Sequence, residues 1–182
     1  MKNNYRVFAS IFFLFLITFL QMLQESAHAA YVLPYPSVMP GSRFYRVSRI
    51  LDEIKRYWHW GNLTSYRYEM GQSDKALIEA KTLFEYRQYQ LALAALDRSN
   101  TALLRVPETL IRADREGKNI QQYIREFAEA MDEHKRILSA IIGEVPGEYT
   151  WSPENSDPKP LYLHEALLSA EQIRNEAVMK LP

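Results

Sequence analysis

The chain has 182 residues, 47% hydrophobic and 24% charged, with 22 basic residues balancing 22 acidic ones. That balance belongs to a folded globular chain; it excludes a disordered polyelectrolyte and the global positive field that draws proteins onto nucleic acid. There is no cysteine, so disulfides, thiolate metal sites and cysteine nucleophiles are excluded together. Glycine is scarce at 6 residues, and no stretch sustains an alternation of β-branched with polar side chains. An all-α fold follows, an antiparallel bundle of about five helices preceded by an extended proline-rich segment.

Lys2 and Arg6 precede an almost unbroken apolar run from Val7 to Leu20, and Ala27-His28-Ala29 sets small residues at both positions that a signal peptidase reads. Residues 1–29 therefore read as a Sec-type signal peptide. An uncleaved anchor is the alternative, because the run extends through Gln21 to Leu23 and approaches the roughly 17 residues of the shortest membrane-spanning helices. No cysteine follows the run, which rules out a lipoprotein anchor. The expected location is outside the cytoplasm, in a periplasm, cell wall or medium, with membrane proximity if the segment is retained. Loss of Lys2, Arg6 and Glu25 leaves 20 basic against 21 acidic residues, so the remainder is essentially neutral.

Residues 30–43 form a lead in which Pro34, Pro36 and Pro40 fix φ, remove backbone donors and keep their predecessors out of the α region. The segment is extended. The aromatic and aliphatic side chains of Tyr31 to Met39 can clamp onto the outside of a helical body, or the segment, with Pro34, Tyr35 and Pro36, can be presented to a partner as a polyproline-type ligand.

A helical domain spans 44–146. Ser42 is a plausible cap for a first helix, in which Phe44, Val47, Ile50, Leu51, Ile54 and Trp58 recur every three or four residues. It ends in the aromatic cluster Tyr57, Trp58 and Trp60, with Gly61-Asn62 as the turn. That cluster plugs the end of a bundle, lines a pocket or sits at a membrane interface. Asn62-Leu63-Thr64 matches a glycosylation sequon. The second helix runs from about Ser65 to Tyr86 with Ala76, Leu77, Ala80, Leu83 and Phe84 on one face, its first turns loosened by Gly71 and Ser73. After a tight connection at Arg87-Gln88, a third helix carries Leu91, Ala92, Ala95, Leu96, Ala102, Leu103, Val106 and Leu110, with a kink or restart at Pro107 and a stop at Gly117. Asn119 and Gln122 cap a fourth, whose stripe is Ile120, Tyr123, Ile124, Phe127, Met131, Leu138 and Ile141. Residues 147–160 read as a polar loop and 161–182 as a C-terminal helix with Leu163, Leu167, Ala170, Ile173 and Ala177 inward.

Catalytic patterns are missing from this frame. His28 falls within the targeting segment, and His59, His134 and His164 belong to no His-Glu-x-x-His zinc pattern. A Glu-x-x-His di-iron pair would need glutamate where Arg56, Met131 and Leu161 stand. No nucleophile elbow, phosphate-binding glycine loop or dinucleotide fingerprint occurs. His134 falls on the apolar stripe of the fourth helix beside Glu129 and Glu133. There it serves as a ligand or proton acceptor, or as a core-edge residue bonded to a carboxylate.

The segment Tyr31-Val-Leu-Pro-Tyr-Pro-Ser-Val-Met-Pro40 resembles the opening motif Leu-Pro-Tyr-Pro-Gly-x-Leu-Pro of a family of uncharacterised exported bacterial proteins, a domain of unknown function. Phe44-Tyr45 and Asp52 stand where that family has a Leu-Tyr pair and an Arg-Asp helix. The likeness continues through Asp74 to Ala80, Tyr89 to Leu93 and Glu133 to Leu138, and so covers about Tyr31 to Pro146. Ser37 for glycine, Met39 for leucine and Gly41-Ser42-Arg43 for an acidic residue and a proline are departures that alter the turn. The resemblance implies export, a helical body and no assigned activity.

The expected function is a non-enzymatic interaction or structural module of a cell envelope, with no cofactor, a protein partner and no nucleic acid. Pro34, Tyr35, Pro36, Trp58, Trp60 and His134 are its candidate contact residues. A small-molecule, lipid or metal binder, built on Tyr57, Trp58, Trp60 and Tyr66 or on His134 with neighbouring acids, is the alternative.

Overall fold

The structure, a computed structural model, describes residues 31–34, 47, 50, 51, 54, 55, 61–154 and 157–182. The expectations for residues 1–29, and for Tyr35, Pro36, Trp58 and Trp60, lie outside these.

Helix α1, Asn62–Glu85, starts beyond Gly61, whose φ of 95° only glycine adopts freely. It runs unbroken through Gly71 and Ser73, against the expectation that these residues loosen it; Ser73 is buried and its hydroxyl is bonded across the bundle. Arg87, at φ 58°, reverses the chain while Arg87 N–H donates to Phe84 O at 2.9 Å and Gln88 N–H to Leu83 O at 2.8 Å. Helix α2, Tyr89–Leu103, follows at once.

Leu104 and Arg105 bend the rod into α3, Val106–Arg115, with Pro107 in the first turn, where its missing N–H has no intrahelical acceptor to lose. Gly117 at φ 75° closes α3, as Lys118 N–H reaches Ala113 O at 3.1 Å. Helix α4, Gln121–Glu144, is entered through Asn119, whose Oδ1 accepts the Gln121 N–H at 3.1 Å.

Strands β1, Glu148–Trp151, and β2, Lys159–Tyr162, then pair antiparallel, Glu148 opposite Tyr162 and Trp151 opposite Lys159. This ribbon replaces the loop expected over 147–160. Its strands have four residues each, mostly exposed, and one contains Pro160, so they carry little periodic signal. Tertiary contact seats it: the Tyr149 ring meets that of Tyr89 edge-on at 4.8 Å. Gly147 O accepts the N–H of Leu163 at 2.9 Å, which launches α5, Leu163–Met179. His164 holds the same corner through Nε2 and the Val145 carbonyl at 3.0 Å.

The protein is all-α apart from this ribbon. Among the described residues there are four helical rods, the second being bent α2–α3, where the sequence suggests five helices. The difference lies at the N-terminal end: of the expected first helix, only Val47, Ile50, Leu51, Ile54 and Lys55 are described, all helical. Helix α1 packs chiefly on α2 and α4 on α5; α1 also meets α3 and α4, and α2 meets α5.

Candidate functional site

The apolar core is divided in two. One cluster contains Leu77, Leu83, Phe84, Leu96, Leu138 and Leu167; the other contains Met70, Leu103, Leu110, Phe127, Met131 and Ala177. Each long helix contributes to both, and each places polar residues between its two contributions. On α1 these are Ser73 and Asp74, on α2 Ser99 and Asn100, on α4 His134, and on α5 Arg174. Ser73, Asp74, Ser99, His134 and Arg174 are buried, so a transverse polar layer crosses the bundle at mid-height.

Its members bond to one another, as buried polar groups must if their desolvation is to be offset. The Asp74 carboxylate accepts the Tyr31 hydroxyl at Oδ2, 2.6 Å, and lies 2.8 Å from His134 Nε2 at Oδ1. An acceptor-only carboxylate assigns the proton to Nε2 of the imidazole. Arg174 donates from Nη1 to Asn100 Oδ1 at 2.6 Å and to Ala170 O at 2.8 Å, and from Nη2 to Ser99 Oγ at 2.9 Å. Ser99 Oγ in turn is 3.1 Å from Ser73 Oγ. Among the described residues, His134 Nδ1 and Arg174 Nε are the buried side-chain polar atoms without a partner.

Burial governs the protonation of the layer. It pushes the His134 imidazole below its ordinary range, with Arg174 acting the same way against the opposing pull of the Asp74 bond, so the ring is neutral. Burial brings the Arg174 guanidinium down to about 10, opposed by the fields of Glu171 and Asp74; it remains a cation at neutral pH. Tyr31 is shifted well upward by burial and then by Asp74, which keeps its hydroxyl a donor.

Of the candidate contact residues, His134 is fully buried and Pro34 is exposed. The lead does two things over residues 31–34. Tyr31 packs against the Met70 cluster and Leu33 against the Leu77 cluster, while Val32 and Pro34 face solvent. Tyr66 belongs to the core, meeting the Tyr123 ring edge-on at 5.4 Å, and its hydroxyl donates to Tyr123 O at 3.3 Å. Among the described residues no three His, Asp or Glu side chains gather as a metal site, and no helix is long and apolar enough to cross a membrane.

Sequence reasoning singles out His134 but not its partners. A signal was available: each polar residue of the layer interrupts an apolar stripe in register, as Arg174 does between Ala170 and Ala177. Their common level is a property of the packed bundle.

The surface offers a different feature. Val47, Ile50, Leu51 and Ile54, on one stripe of helical spacing, are 46–61% exposed. In an amphipathic helix packed on a core these are the positions that would be covered.

Fold and site together define an all-α bundle braced by an internal polar layer and bearing an exposed aliphatic stripe near its N-terminal end. No family profile matches the chain, and neither curated proteins nor solved structures match it at a significant level.

Proposed function

We propose that this protein is a non-enzymatic interaction or structural module of a cell envelope. The exposed aliphatic stripe of Val47, Ile50, Leu51 and Ile54 carries this reading, because contiguous apolar surface left uncovered on a folded chain marks a contact site. The polar layer supports it: Tyr31, Asp74 and His134 bond in one network and Arg174 bonds Ser99 and Asn100 in another, and both brace the body that presents the stripe. The targeting pattern of residues 1–29 supports an extracytoplasmic site of action.

Site-specific photo-crosslinking in the native cells tests the proposal. A photoreactive residue at Leu51 or Ile54 is expected to give discrete adducts, while one at the exposed Leu168 of α5 gives none. Equal labelling at all three positions, or silence at Leu51 and Ile54, overturns it.

A further inference from the structure

We infer that the stripe docks on a membrane surface carrying anionic lipid, with the helix lying in the interface. The inference rests on the contact-site reading above and names the partner. Three observations favour a bilayer over a protein.

The first is chemistry. The four described side chains of the stripe are all aliphatic and carry no hydrogen-bonding group to specify a protein partner. A face of that kind suits shallow insertion into the acyl boundary.

The second is charge. Between Arg43 and Arg56 there are five basic residues (Arg43, Arg46, Arg49, Lys55, Arg56) against two acidic ones (Asp52, Glu53). The rest of the chain holds seventeen basic against twenty acidic, so a chain that is neutral overall concentrates positive charge in the segment that carries this stripe. Lys55, adjacent to Ile54, is itself exposed. A basic segment that carries an aliphatic stripe suits an anionic leaflet, where each basic residue near the surface is worth about 1 kcal/mol.

The third is position along the chain. Tyr57, Trp58 and Trp60, residue types that favour the membrane–water boundary, follow directly, and the apolar run Val7–Leu20 precedes the lead. Whether that run is cleaved or kept, export delivers this end of the chain at a bilayer.

Vesicle flotation with the unit Tyr31–Pro182 is the test, since both core clusters and the polar layer lie within it. Vesicles of phosphatidylcholine with one-third phosphatidylglycerol are expected to carry the protein upward, and phosphatidylcholine alone to leave it behind. Lys55→Ala should weaken capture about fivefold, the equivalent of one surface charge. Ile50→Ser with Leu51→Ser and Ile54→Ser should abolish it while the melting temperature stays unchanged, because these side chains are already exposed. Capture by both vesicle types alike overturns the requirement for anionic lipid, and capture by neither overturns the membrane assignment. Sedimentation velocity separates the two readings. A dimer lost in the triple variant, without flotation, would sink the membrane partner and leave the contact site standing; no flotation, dimer or crosslink would remove both.

Discussion

The imidazole of His134, with no solvent exposure, lies 2.8 Å from the carboxylate of Asp74, and the two residues are 60 positions apart on helices that meet only in the folded bundle. The same carboxylate holds the Tyr31 hydroxyl. One side chain thus joins α1 to α4 and fastens the lead to both.

Asp74→Ala should be among the most damaging substitutions in the chain. It leaves the buried His134 N–H without an acceptor and releases Tyr31, and removal of one partner from such a group costs about 1–3 kcal/mol beyond the lost bond. Urea unfolding should show a loss of about 3 kcal/mol or more. Tyr31→Phe, which deletes a single donor at a half-buried position, should cost only about 1 kcal/mol. The double variant should fall short of the sum, since Tyr31 has nothing left to bond once Asp74 is gone. A loss below about 0.5 kcal/mol for Asp74→Ala would show that the layer does not brace the fold.

Acid should destabilise the protein earlier than its carboxylates alone require. The groups facing His134 are Asp74 from α1, Glu133 on its own helix and Arg174 from α5, and burial outweighs the favourable acids. Its folded pKa lies below the unfolded value of 6.5, so the unfolded chain binds the proton first. Stability is therefore complete above about pH 7 and declines as pH falls through 6.5, with a limiting slope of about 1.4 kcal/mol per pH unit for one group. His134→Gln should flatten the profile between pH 7 and 5. A wild-type melting temperature level from pH 7.5 to 5 would contradict this assignment.

Arg174 tests whether the buried cation contributes net stability. Arg174→Ala removes the donors to Asn100 and Ser99 and opens a cavity among α2 and α5, so a loss of about 3–5 kcal/mol is expected. Arg174→Met fills most of that volume without a charge to desolvate and should recover at least half of the loss, because a buried ion retains much of its desolvation cost even when fully bonded. Chemical denaturation of the two variants side by side decides it. Equal losses would mean that the hydrogen bonds, and not the volume, hold this part of the layer together.

Much of the architecture was legible in the residues. Most of the stripe positions in α1 to α5, the stop at Gly117 and the restart near Pro107 act within one or two turns of helix and are where the chain indicates. Leu91 is exposed instead, and α4 is capped at Ile120, with Asn119 one residue outside it and the Gln122 side chain bonded to Glu126. The ribbon at 148–162 was not legible, because its strands are short and mostly exposed, one contains Pro160, and Tyr149 rests on Tyr89 from a distant segment. Gly71 and Ser73 misled in the same way: propensity treats Ser73 as a weak helix former, whereas its hydroxyl is spent on Ser99 across the bundle.

By itself, then, the sequence determined the helical class, the approximate ends of the rods and the fact that polar side chains interrupt their apolar faces, because periodicity, capping and proline or glycine geometry are local. Only the tertiary structure decided that Ser73, Asp74, Ser99, His134 and Arg174 lie at one level and bond into a layer. That outcome depends on the relative register of four antiparallel rods. Register is set where desolvation penalises every polar group that fails to find its partner, a penalty that exists only once the helices have packed.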